Sequence, residues 1–305
     1  MGRAKKMTKS IIKFFAVSFL VLTSHALGFA SDVPFRLEKG HIIVAAKIKK
    51  EIPVEVTIAT GSAYSFLNPD LIRKHGIKLS YTGDGPITGR NDKIIHFAEV
   101  PQIIIGDEKP SSLFMKERSF AALNAKIGRE IGAILGADFF RGRIFKIDFE
   151  RKVLIFYGNS PFDYAQLKAA GTAAVSKVSD MEHSFKTFYG SELTLPVISN
   201  TTYDGTQIRT LLETGDPIPV SISASAVKEY SLALSVPDKG STKVATLKSM
   251  NINGVDAANV PILVFGKNAG FDEGLREFGA ILGIGVLQNF KVTFDWKAKK
   301  VVLER

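Results

Sequence analysis

Residues 128–156 read GREIGAILGADFFRGRIFKIDFERKVLIF, and residues 275–303 read LREFGAILGIGVLQNFKVTFDWKAKKVVL. The two stretches align without a gap at a constant offset of 147. Arg129 meets Arg276, Glu130 meets Glu277, the Gly-Ala-Ile-Leu-Gly run recurs whole, and Asp148 meets Asp295. Self-similarity at one fixed period marks a chain built from two copies of a single supersecondary unit.

Upstream of each copy lies a second matched feature. Val54 to Phe66 reads VEVTIATGSAYSF: it alternates as a strand, breaks at Thr60-Gly61, and leads into Asn68-Pro69, a cap residue and a proline suited to a first helical turn, closed by Gly76. Thr206 to Ile222 reads TQIRTLLETGDPIPVSI and leads into a short helical stretch, Ser223 to Tyr230. Strand, Thr-Gly turn, strand and short helix therefore recur in one order. Between these landmarks run alternating segments with turn signals: His96 to Ile105 before Gly106-Asp107, and Ser249 to Phe265 around Asn253-Gly254. Both halves read as mainly antiparallel β. Residues 158–190 read as the connector between a half at 31–157 and a half at 191–305.

The first thirty residues read as an export signal. Lys5, Lys6, Lys9 and Lys13 give a basic start, Phe14 to Leu22 an apolar run, and Gly28-Phe29-Ala30 small residues where a signal peptidase cuts. The expected location is the periplasm or the exterior, with membrane contact only if this segment is retained. Of the formal charge of +10, the first thirty residues supply five, which leaves a mild basic excess on the remainder. Nucleic acid is not an expected partner. Cysteine is absent, which excludes disulfides and thiol catalysis, and five His without an HExxH string give no support for a metal. No cofactor is expected. A single Ser-x-x-Lys string, Ser225 to Lys228, has no companion motif.

The repeated pair of motifs resembles the retropepsin-like and pepsin-like aspartic peptidases, especially secreted bacterial members with two retropepsin-like halves in one chain. The Asp-Thr-Gly-Ser/Ala turn of that family is matched by Ala59-Thr60-Gly61-Ser62 and by Glu213-Thr214-Gly215-Asp216. The apolar pair with glycine that passes behind the turn is matched by Ile134-Leu135-Gly136 and Ile281-Leu282-Gly283. The resemblance implies an all-β fold of two acid-protease lobes about a pseudo-twofold axis, with Thr60 and Thr214 bonded across the lobe interface. It also implies a cleft above the turns that takes an extended peptide through main-chain hydrogen bonds.

The catalytic positions depart from the family. Its chemistry needs two carboxylates that share a proton, one to activate water and one to donate to the substrate carbonyl. Ala59 supplies no carboxylate. Glu213 keeps an acid but with an added methylene, which is expected to push its oxygens about 1.5 Å outward, a displacement costly to rate. Asp216 is read as a surface or turn-stabilising aspartate. Asp148 and Asp295 read as structural, and Asp138 has Gly285 opposite it, so it lacks a symmetric mate. A mobile hairpin over the cleft is expected at Gly83 to Asp92, beside the alternative of a plain polar loop. The histidines His41, His75, His96 and His183 show no pairing with a nucleophile. The expected protein is a pseudopeptidase that binds a peptide or protein segment between its halves. The alternative is an active aspartic endopeptidase that uses Glu213 in an atypical or dimeric site.

Overall fold

The computed structural model describes residues 31–49, 51–77, 80–81, 97–100, 102–109, 113–158, 162, 164, 177–186, 192–267 and 278–305. The signal segment and the hairpin expected at Gly83 to Asp92 lie outside the described residues. No helix among the described residues is long and apolar enough to cross a membrane.

Each half is built around one crossing. In the first, the strand Ile131–Leu135 lies parallel to Ile52–Ile58 on one side and antiparallel to Phe66–Leu67 on the other. In the second, Ala280–Leu282 lies parallel to Thr210–Leu212 and antiparallel to Val220–Ser223. The chain thus leaves one strand through the Thr-Gly turn, returns one place further over, and later threads between the two. Most strand pairs are antiparallel, as expected, but these pairings and the further parallel pairs Phe66–Leu67 to Leu113–Glu117 and Val220–Ser223 to Val255–Phe265 place parallel neighbours at the centre of each sheet. Alternation of side chains shows that a strand has two faces, and it carries no information about the direction of a neighbour.

Glycine permits the crossing. A Cβ built on Gly136 would stand 2.6 Å from Ser62 O and 2.7 Å from Tyr64 O, and one on Gly283 would stand 2.5 Å from Asp216 O and 2.0 Å from Ile218 O. Main chain passes main chain at a distance that no side chain tolerates. The short helices sit where the sequence put them. Pro69–His75 is capped by Asn68, whose side chain accepts from Asp70 N, and is closed by Gly76 at φ 54. Ala224–Glu229 is capped by Ser223, which accepts from Ala226 N.

The halves join through a shared antiparallel sheet. Ile144–Asp148 pairs with Lys291–Asp295, and in that register Lys146 faces Thr293, its own counterpart at the offset of 147. A residue opposite its own repeat is what a twofold axis through the ladder requires. Flanking strands extend the symmetry: Ser31–Pro34 pairs with Val153–Phe156, and Lys177–Asp180 pairs with Lys300–Glu304 in the matching register. By pairing, the second part of the stretch read as a connector therefore opens the second repeat. Phe145 stacks on Phe140 of its own half and on Phe294 and Trp296 of the other, with centroids 4.4, 5.5 and 5.7 Å apart. One hydrophobic core runs from Val33 to Leu303 across both halves. Asp148 accepts from Arg151 N at 2.9 Å and Asp295 from Ala298 N at 2.8 Å, so both close the turn that follows their strand.

Candidate functional site

The two Thr-Gly turns meet face to face. Thr60 Oγ1 donates to Leu212 O at 2.8 Å and accepts from Thr214 N at 3.1 Å; Thr214 Oγ1 donates to Ile58 O at 3.0 Å and accepts from Thr60 N at 3.2 Å. Both threonines are fully buried. Each hydroxyl satisfies one donor and one acceptor of the opposite half, so neither turn can shift without stranding buried backbone groups. From behind, Leu135 O holds Ala59 N at 2.9 Å and Leu282 O holds Glu213 N at 3.0 Å. Ser62 O and Asp216 O each receive the amide that follows the crossing glycine, at 2.8 Å.

The carboxyl of Glu213 lies between the turns. Its Oε1 accepts from Gly215 N at 2.5 Å, and the N–H of Gly61, from the facing turn, also stabilises the carboxylate. Oε2 stands 2.9 Å from where a Cβ on Gly61 would be, and Oε1 3.0 Å from where one on Gly215 would be. Ala59 Cβ also lies 2.9 Å from that second point, so the methyl and the carboxyl crowd one spot. By the symmetry of the halves, Gly61 N–H is the donor that would hold a carboxylate at position 59 as Gly215 N–H holds Glu213. The extra methylene therefore carries the carboxyl toward the facing turn, with Oε1 on Gly215 N–H and Oε2 against Gly61. This corrects the expected simple outward displacement: the emptied position opposite leaves room for a longer side chain to reach over. Burial pushes the Glu213 carboxyl up to about 7, against the two glycine N–H groups, and the neighbouring Asp216 pushes it further the same way.

Asp216 is 7% exposed and spends both oxygens on its own turn, Oδ1 accepting from Ile218 N at 2.9 Å and Oδ2 from Ser221 Oγ at 3.0 Å. Of its two expected roles, the geometry fits turn support and not surface display. The first half builds the same brace from a different place. Asp138 accepts from Ser65 N at 2.9 Å and from Ser65 Oγ at 2.6 Å, and Ser65 Oγ in turn receives Gly136 N at 2.9 Å. Asp138 and Asp216 are thus functional mates without occupying matched positions, which is why Asp138 looked solitary in the sequence. Burial raises both carboxyls, Asp138 to about 6.

Ser62 bonds Tyr64 O at 2.8 Å and so stays within its own turn. His41 is buried with Nε2 unpartnered, and burial together with Lys126 lowers it to about 4. It touches no nucleophile. No group of three or more His, Asp or Glu that could hold a metal occurs among the described residues. A cavity of about 470 Å³ lined by Asp107, Glu108, Lys109, Arg141 and Arg143 includes none of the turn residues.

Fold and crossing together define a two-lobed aspartic-proteinase fold. Among solved structures, the chain is similar to the aspartic proteinase from Irpex lacteus, with a TM-score of 0.53 and 12% identity over 90% of this chain and 97% of that one. No family model and no curated protein matches the sequence.

Proposed function

We propose that this aspartic-peptidase-like chain is a pseudopeptidase that holds an extended peptide or protein segment in the cleft between its halves and does not hydrolyse it. The observation that carries the reading is one carboxyl seated on Gly215 N–H and lying against Gly61 of the facing turn, with a methyl at the other catalytic position. Hydrolysis needs an ionised and a neutral carboxyl at once, and one group cannot be both in a single turnover step. The scaffolding of the site is complete: crossed threonines, crossing glycines and braced turns. A main-chain-reading cleft needs that geometry whether or not chemistry follows.

The test is reconstruction. Ala59→Asp with Glu213→Asp gives each glycine N–H its own short carboxylate, and the double variant is expected to cleave a mixed peptide library with an acid optimum. The parent chain is expected to bind members of that library without cleaving them. Cleavage by the parent that disappears in Glu213→Gln overturns the reading in favour of an active endopeptidase.

A further inference from the structure

The two halves serve as controls for each other, and at one place they part company. Phe66 pairs with Lys116 and Leu67 with Glu117, where the corresponding strands of the second half pair Ser221 with Leu263 and Ile222 with Val264. Phe66 faces Ile134 and Ser221 faces Ile281, its repeat, so Phe66 and Leu67 correspond to Ser221 and Ile222, and Lys116-Glu117-Arg118 stands where the other half has Leu263-Val264-Phe265. The fold is satisfied by apolar residues there, and two of the three, Val264 and Phe265, are buried. The cations of the first half are therefore not a requirement of the architecture.

They lie beside the segment that leaves the first Thr-Gly turn. Lys116 Nζ lies 4.1 Å from the Tyr64 ring centroid and the Arg118 guanidinium 5.4 Å from that of Phe66, and both rings belong to the strand that leaves the first Thr-Gly turn. Phe66, Leu123 and Ile134 are half-buried on a small apolar cluster of Ile43, Phe120, Ile127 and Ile131. That cluster includes the last residue of the helix Ala121–Ile127, and the charge of its Lys126 is felt by Asp216 of the second turn. Lys116, Arg118 and Lys126 therefore lie on elements packed around one apolar cluster beside the first turn. Asp138 feels the charge of Lys116 and Asp216 that of Lys126, and both carboxyls are shifted toward their neutral forms by burial. Burial lowers Lys116 from the ordinary lysine value while the Asp138 charge opposes that shift, and a cation on an aromatic ring that has lost part of its hydration holds an incoming carboxylate more strongly.

We infer that the cleft selects extended peptides bearing Asp or Glu, whose carboxylates are received by Arg118 and Lys116 over Phe66 and Tyr64. This rests on the peptide-binding reading above and adds a substrate class to it. The test uses three short fluorescein-labelled peptides of one apolar framework with Asp, Asn or Lys at alternate positions, titrated by anisotropy near neutral pH in low and high salt. The Asp peptide is expected to bind about tenfold tighter than the Asn peptide, the worth of one charge-assisted hydrogen bond. High salt and Arg118→Gln should each collapse that ratio toward one. Lys116→Gln should lower it as well, and Lys152→Gln, exposed in the turn between Ile144–Asp148 and Val153–Phe156, should leave it as it was. Equal binding of the Asp and Asn peptides, or a ratio insensitive to Arg118→Gln, overturns the acidic preference while the peptide-binding reading stands. Failure of all three peptides to bind brings down both.

Discussion

Glu213 concentrates the unusual physics of this chain in one side chain. Its carboxyl is held in the fold at about 7 against an ordinary 4.5. An acid raised on folding is favoured neutral in the native state, so its full contribution is present below about 4.5, and stability falls as pH climbs from there to about 7. At about 1.4 kcal/mol per unit, the loss attributable to Glu213 is roughly 3 kcal/mol at most, less what its opening to the cleft screens. Asp138 and Asp216 drift in the same direction, and His41, lowered on folding, drifts in the opposite one. The informative quantity is therefore a difference between proteins. Urea midpoints of the parent should fall more steeply across this window than those of Glu213→Gln, and parallel curves would show that Glu213 ionises as freely folded as unfolded. A second expectation concerns coupling. Ala59→Asp alone crowds a carboxylate against one that already lies against Gly61 and should destabilise by about 1–3 kcal/mol, a cost that Glu213→Asp relieves. Additive effects in the double-mutant cycle would mean the two side chains do not compete for one seat.

At the scale of elements, the Thr-Gly turn is the unit that carries the design, and most of it was legible. The Thr-Gly strings, the glycines of the crossing strand and the capped helices at Pro69–His75 and Ala224–Glu229 all announce themselves through residues with restricted uses. The helix Ala121–Ile127 did not, because its cap position is Phe120 and makes no side-chain hydrogen bond. Parallel pairing was hidden too, since it depends on where a distant strand inserts. Nor could the reach of Glu213 be read, because a side chain's direction across an interface is fixed by what stands opposite. Crossed threonines make a sharp prediction at this scale. Thr60→Val keeps the shape but strands Thr214 N–H and Leu212 O in a dry interface, which should cost roughly 2–5 kcal/mol in chemical denaturation. Thr60→Ser restores both partners and should recover most of that loss. A valine variant as stable as the serine one would remove the crossed bonds from any account of how the lobes are held.

For the whole molecule the question is whether two lobes behave as one folding unit. The interface is not a thin hinge: six strands, three from each half, make a continuous ladder, and the core beneath it is unbroken from one half to the other. Separating the halves would expose the stacked rings Phe145, Phe294 and Trp296 and strand the crossed threonine bonds in the same step. Neither half keeps its edge closed alone, so partial unfolding creates both new apolar surface and unpaired strand edges. The expected outcome is one cooperative transition in place of the sequential melting common in two-domain chains. Trp296 is the sole tryptophan and donates Nε1–H to Thr194 O at 2.9 Å inside this junction, so its fluorescence reports on the seam directly. Far-ultraviolet circular dichroism reports on the strands of both halves. The two signals should trace one denaturant curve with a single midpoint, and Thr60→Val should move them together. Should tryptophan emission change ahead of the strand signal, the seam opens before the lobes unfold, and the shared sheet would be a dock between independent domains.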